Sequence, residues 1–88
     1  MEMFIHLGGD MVLRAEKIIA ILDHQSTSLS KENQNFVAHQ KTLKKTILIS
    51  EDNPKSIVIT KENIYLSPIS SHTLKRRGEN VAVLEEEG

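Results

Sequence analysis

The side chains in this chain that could do chemistry are four histidines, a serine pair beside one of them, a Gly-Gly step and a set of lysines and arginines. His6, His24, His39 and His72 fall in four different stretches, and only the adjacent Asp23-His24 brings a carboxylate near an imidazole. A metal centre needs three or four ligands at set spacings, so no metal site is expected. Ser70-Ser71-His72 places hydroxyls beside an imidazole, but neighbours at a helix start do not aim at each other and no oxyanion loop accompanies them. They read as helix caps. Gly8-Gly9 has neither the spacing nor the following Lys-Ser of a phosphate loop and reads as a hairpin turn. With no cysteine there is no thiolate chemistry and no disulfide framework. The chain is therefore expected to be a non-enzyme that carries no cofactor.

What remains is charge. The 88 residues sum to −1, yet the charge is segregated. Residues 1–38 carry −2, residues 39–77 carry +5 and residues 78–88 carry −4. The basic stretch holds Lys41, Lys44, Lys45, Lys55, Lys61, Lys75, Arg76 and Arg77. It is either solvated surface or a face for phosphates, which bind such residues by releasing condensed counterions. Tyr65 is the only aromatic in this stretch, so stacking on single-stranded bases is poorly served and duplex backbone is the more economical ligand. Lys41, Lys44 and Lys45 close a helix whose negative dipole end they suit, which explains them without any ligand. The same holds for Arg76-Arg77.

The elements that must position these residues follow from the apolar pattern. Ser56–Thr60 and Ile64–Ser67, separated by Lys61-Glu62-Asn63, form the clearest hairpin. Pro68 ends it, and Ser70 or Ser71 caps a short helix that stops near Gly78. Phe4–Leu7 and Met11–Arg14 flank Gly8-Gly9 as another hairpin. Ile18–Leu22 is a third strand, whose five apolar residues imply cover on both faces or burial in an interface. Asp23–Ser30 reads as a polar loop ending in a cap for a helix over Lys31–Leu43, with Leu29, Phe36, Gln40 and Leu43 on its packed face and Val37 flanking it. Thr46–Ser50 is the next strand, turned back into the central hairpin by residues 51–55. An offset of 46 brings Val12 onto Val58, Glu16 onto Glu62 and Ile18 onto Ile64, either as a duplication or as two generic meanders. Val81–Leu84 reads as a weak last strand and Glu85–Gly88 as an acidic disordered tail. The expected architecture is α+β: one domain over residues 1–84, made of two β-meander-plus-helix units with a mostly antiparallel sheet. A chain this short buries only about 60–65% of its unfolded surface, which favours oligomerisation. No apolar run approaches a membrane span and Met1-Glu2 opens with an acid, so a cytoplasmic protein is expected.

FIHLGGD near the start, KSIVITKENIYLSP in the middle and SSHTLKRR after it together resemble the extracellular matrix regulatory protein B family of Gram-positive bacteria. Ile5-His6-Leu7-Gly8 and Ile64-Tyr65-x-Ser67-Pro68 are the type B forms; the match starts at Met3, leaving Met1-Glu2 as an extension. The resemblance implies a DNA-binding regulator of biofilm matrix genes, related in fold to LytTR-type domains, and protein A of that kind forms rings around which DNA can wrap. It also implies basic DNA contacts at Lys17 and Lys55. The paired arginines of protein A do not carry over, because Asp52-Asn53 stands there. The expected DNA-binding residues are Lys17, Lys41, Lys44, Lys45, Lys55, Lys75, Arg76 and Arg77. The expected partners are double-stranded DNA, further copies of the chain and a paralogous matrix regulator. The alternative is an interaction subunit that modulates such a paralogue without touching DNA.

Overall fold

A computed structural model describes residues 3–78; the expected last strand at Val81–Leu84, the acidic tail and Met1-Glu2 lie outside the described residues. Strands β1 (Phe4–Gly8) and β2 (Met11–Arg14) form the first hairpin. A single 3-10 turn, Ala15–Lys17, leads to β3 (Ile18–Asp23), followed by helices α1 (His24–Leu29) and α2 (Lys31–Leu43). Then come β4 (Lys45–Leu48), β5 (Ser56–Thr60), β6 (Asn63–Ser67) and α3 (Ser71–Arg77). The fold is α+β. No helix among the described residues is long and apolar enough to cross a membrane.

The expected pair of meanders is not what forms. Strands β1 and β2 make a separate two-stranded sheet, while the main sheet runs β3-β5-β6-β4. Strand β5 is buried along its whole length and both its ladder edges are filled, by β3 and β6. Strand β4 takes the outer edge of β6, where it pairs in parallel, Lys45 opposite Asn63 and Leu48 opposite Leu66. The other pairings are antiparallel. Shifted by 46 residues, α1 falls on α3 and β3 on β6, but β5 and β6 pair while β2 and β3 do not. The halves share an order of elements and not a set of contacts.

The core follows the strand period of two. On one face Ile18, Ile21, Val58 and Tyr65 meet Ile5 and Leu7 of β1 and Leu74 of α3. On the other, Ile57, Ile59 and Ile64 meet Val37 of α2. The five apolar residues of β3 are thus covered on both faces within one chain, with Ile19 as the exception, turned outward beside an irregularity in the β3–β5 ladder. Helix α2 has the expected limits and its Ser30 cap, which accepts from the backbone N–H of Asn33 at 3.2 Å, yet it presents a different face. Val37 is its buried residue, whereas Leu29, Phe36 and Leu43 are 81%, 44% and 65% exposed. Helical spacing located a stripe correctly but not which stripe meets the sheet.

The expected polar loop at Asp23–Ser30 is largely helix α1. The Asp23 carboxylate accepts from Ser26 N–H at 2.7 Å and caps it, and Thr27 is buried beneath it. That backbone N–H, reinforced by the Ser26 hydroxyl, holds the Asp23 carboxyl below its ordinary range. Ser70 caps α3 as expected, accepting from Thr73 N–H at 3.2 Å.

Two fully buried serines fasten the hairpin to the sheet. Ser67 Oγ donates to Leu7 O at 2.6 Å and accepts from Ile69 N–H at 3.0 Å, while Ser56, its partner across the ladder, donates to Ile69 O at 2.7 Å. Gly8, at φ 118°, lies so close to Pro68 that an added Cβ would sit 2.9 Å from Pro68 Cγ. Only glycine fits there.

Ser67→Ala leaves a buried carbonyl and a buried N–H unpaired and is expected to lower unfolding free energy by about 1–3 kcal/mol, against under about 0.5 kcal/mol for exposed Ser28→Ala, in urea titrations. Equal values for both would contradict this account of the joint. A carboxyl depressed by folding contributes stability above its unfolded value and loses it as pH falls through the folded one, so α1 loosens below about pH 4. Asp23→Asn should abolish that pH dependence in hydrogen-exchange measurements.

Candidate nucleic-acid interface

The register of the main sheet gathers lysines that are far apart in the sequence. Ile18 opposes Thr60, so Lys17, just before β3, lies beside the end of β5. Lys45 opposes Asn63, so the start of β4 lies at the same end, with Lys44 immediately before it. Lys44 Nζ donates to Thr60 O at 2.8 Å, tying the end of α2 to the β5–β6 turn. That turn carries Lys61. It is held by Thr60 Oγ1, which donates to Asn63 O at 2.9 Å and accepts from Asn63 N–H at 3.0 Å.

Lys17 and Lys61 line an open groove of about 450 Å³ together with Glu16, Ile19, Thr60 and Glu62. Of its two carboxylates, Glu16 is engaged by Arg14 Nη1 at 3.2 Å. The end of the sheet therefore presents the ammonium groups of Lys17, Lys44, Lys45 and Lys61, with Lys41 one helical turn earlier on α2. These four lysines come from three separate segments, beside the carboxylates of Glu16 and Glu62, and a cluster of like charge of this kind favours polyanions.

The remaining expected contacts lie elsewhere. Lys55 immediately precedes β5 at the opposite end of the sheet, where its carbonyl accepts from His24 N–H at 3.0 Å and its N–H donates to Ser67 O at 2.8 Å. Six strand steps separate it from Lys61, about 20 Å. Exposed Asp52 and Asn53 sit in the loop before it. Lys75, Arg76 and Arg77 occupy the last turn of α3, and Arg77 Nη1 donates to His6 O at 2.8 Å. Arg77 thus clasps β1, a tertiary contact distinct from the helix-end charge complementarity expected for Arg76-Arg77. Lys61 is the residue the expected site omits. Its position in a tight turn carried no signal of its own, and only the pairing of β3 and β4 on either side brings Lys17 and Lys45 to it. Tyr65 is 7% exposed, with its hydroxyl accepting from Asn63 Nδ2 at 3.2 Å, so it offers no stacking surface. Among the described residues no three His, Asp or Glu side chains converge on a metal position.

The chain is a small α+β domain with a hairpin, a mixed sheet and lysines gathered at one end, and comparison with known proteins makes its family definite. The family described as Extracellular matrix regulatory protein A-like matches residues 4–77. Extracellular matrix regulatory protein B of Bacillus subtilis (strain 168) is 42% identical over 77 residues, covering 88% of this chain and 91% of the relative. The chain belongs to the Extracellular matrix regulatory protein A-like family. That relative carries the type B name implied by the resemblance around Ile5–Gly8 and Ile64–Pro68.

Lys17→Glu with Lys61→Glu is expected to reduce affinity for duplex DNA more than tenfold while changing stability by under about 0.5 kcal/mol, since both are surface lysines. Arg77→Ala should do the reverse, costing about 1 kcal/mol in thermal unfolding with little change in DNA affinity. Electrophoretic mobility shift and calorimetry on both variants check the division.

Proposed function

We propose that this chain is a non-enzymatic, cytoplasmic regulator of biofilm extracellular-matrix genes that binds duplex DNA through its backbone phosphates as a homo-oligomer. The observation that carries the reading is the convergence of Lys17, Lys44, Lys45 and Lys61 at one end of the sheet. Family membership supports the regulatory role, and the relation to LytTR-type domains implied by the resemblance belongs to the same proposal. Among the described residues no helix joins arginine to amide side chains, since α2 carries Asn33, Gln34, Asn35 and Gln40 without arginine and α3 carries Arg76 and Arg77 without an amide, so in this reading specificity rests on how cheaply a sequence bends.

Assembly is supported by the exposed apolar side chains. Phe4 and Val12 share the outer face of the hairpin, and Phe36 and Leu43 lie on α2 across the sheet. Two unlike apolar faces on opposite sides of one protomer favour head-to-tail contacts, which close into a ring when the rotation allows. A ring presents the cationic end repeatedly, and later contacts become intramolecular, raising affinity by roughly 10²–10⁴ over a single site.

The second reading is an interaction subunit that modulates a paralogous regulator without touching DNA. The same exposed apolar faces favour it, as does Asp52-Asn53 in place of paired arginines.

Affinity is expected to rise with duplex length, and the slope of log affinity against log salt should steepen by about −0.9 for each phosphate neutralised. Fluorescence anisotropy with a duplex that reaches one protomer and one that spans several measures both. Equal affinities and a flat salt response would favour the interaction subunit.

A further inference from the structure

The ladder between β3 and β5 is irregular at one place. Ile18 faces Thr60 and Ala20 faces Ile59, so two steps along β3 match one along β5 and Ile19 is the extra residue. The insertion changes which way the strand faces. Ile18 and Ile21, three apart, share one apolar cluster, Ala20 and Leu22 pack against the other, and Ile19 joins neither. Strict alternation would set Ile19 on the same face as Ile21, inside the core. Instead Ile19 is 53% exposed among the described residues and lines the open groove with Lys17 and Lys61. Bulges re-aim side chains in this way beside functional sites.

The lining of that groove is not simply cationic. Lys17 and Lys61 are matched in number by Glu16 and Glu62, with Glu16 engaged by Arg14 Nη1 at 3.2 Å. Charge alone therefore gives no reason for a large aliphatic side chain here. A ligand that alternates anionic and apolar groups does, and a sugar–phosphate strand is such a ligand.

We propose that Ile19 is a specificity-determining contact for the sugar of bound DNA: with phosphates at Lys17 and Lys61, the C2′ methylene of a deoxyribose packs on Ile19, and the groove selects deoxyribose over ribose. The proposal rests on the reading of this chain as a binder of duplex backbone. In RNA the same carbon carries a hydroxyl, which loses water against Ile19 without gaining a partner. The nearby acceptors are engaged: Thr60 O accepts from Lys44 Nζ at 2.8 Å, and Thr60 Oγ1 accepts from Asn63 N–H at 3.0 Å. An apolar site rejects an added hydroxyl by at most about 10², and a half-exposed side chain by less, so a preference of about tenfold is expected.

Fluorescence anisotropy at one salt concentration compares duplex DNA with duplex RNA of the same sequence and length, on the full-length chain and on Ile19→Thr. The substitution keeps the β-branch and gives the sugar hydroxyl a partner. It should narrow the preference for DNA about tenfold, chiefly by gaining RNA affinity, with the thermal midpoint unchanged. DNA binding with the same preference in both proteins would overturn the role of Ile19, assign the selectivity to helix shape and leave the DNA reading standing. Equal binding of both duplexes by the unaltered chain would also overturn it, since the hydroxyl would then have found an acceptor such as Glu62. A further arm needs no variant: fluorine in place of the 2′-hydroxyls keeps the A-form shape of the RNA duplex and removes the donor. Affinity of the unaltered chain should then recover most of the tenfold, and no recovery would overturn the proposal. If neither DNA nor RNA binds at low salt, the DNA reading itself falls and this contact with it.

Discussion

One buried hydroxyl holds the two ends of the described chain together. Ser67 Oγ reaches across 60 residues of sequence to Leu7 O while accepting from Ile69 N–H, and Ser56 beside it satisfies Ile69 O. Around this joint Gly8 is pressed against Pro68, so the hairpin can approach the sheet only with glycine at that position. Remove the joint and β1 loses its anchor over Val58 and Tyr65, on which one whole face of the core depends. Two of the stretches that carry the family resemblance, FIHLGG and IYLSP, are the two halves of this single contact. Neither is chemically distinctive alone, and their pairing in space gives their joint occurrence a physical meaning.

Much of the fold was legible where local rules decide it. The β5–β6 hairpin, the Gly-Gly turn, the Ser30 and Ser70 caps and the limits of α2 all follow from side chains acting within a few residues. Partnership between distant strands was not legible. That β3 chooses β5, and that β4 runs parallel to β6, depends on which edges remain after the central hairpin forms, information no window of sequence contains. Helix α1 was missed because Ser and Thr have weak helical preference; the capping Asp23 and burial of Thr27 override it. The choice of Val37 over Phe36 as the buried residue of α2 is likewise decided by the sheet beneath it.

The candidate site shows the same division. That residues 39–77 are basic could be read from composition, but which lysines act together could not. Sheet register selects Lys17, Lys44, Lys45 and Lys61 and sends Lys55 to the other end of β5. The histidines illustrate the converse: four titratable rings, in four separate elements, add up to no centre. His6 instead spends its Nε2 on Gly9 O at 2.7 Å, bracing the hairpin turn.

The thin attachment of α2 and β4 bears on how the molecule opens. This unit is held by Val37, by Ile47 against the larger apolar cluster, by the Lys44 bond to Thr60 and by a four-residue parallel ladder that Ile49 N–H extends to Leu66 O, whereas the β1–β3–β5–β6–α3 assembly keeps the Ser67 joint and most of that cluster. With the smaller apolar cluster beneath it, the α2–β4 segment is expected to open at a lower free energy than the remainder. It supplies Lys41, Lys44 and Lys45. Whatever engages those lysines closes that opening, so occupancy of the cationic end and order in the segment behind it rise and fall as one equilibrium.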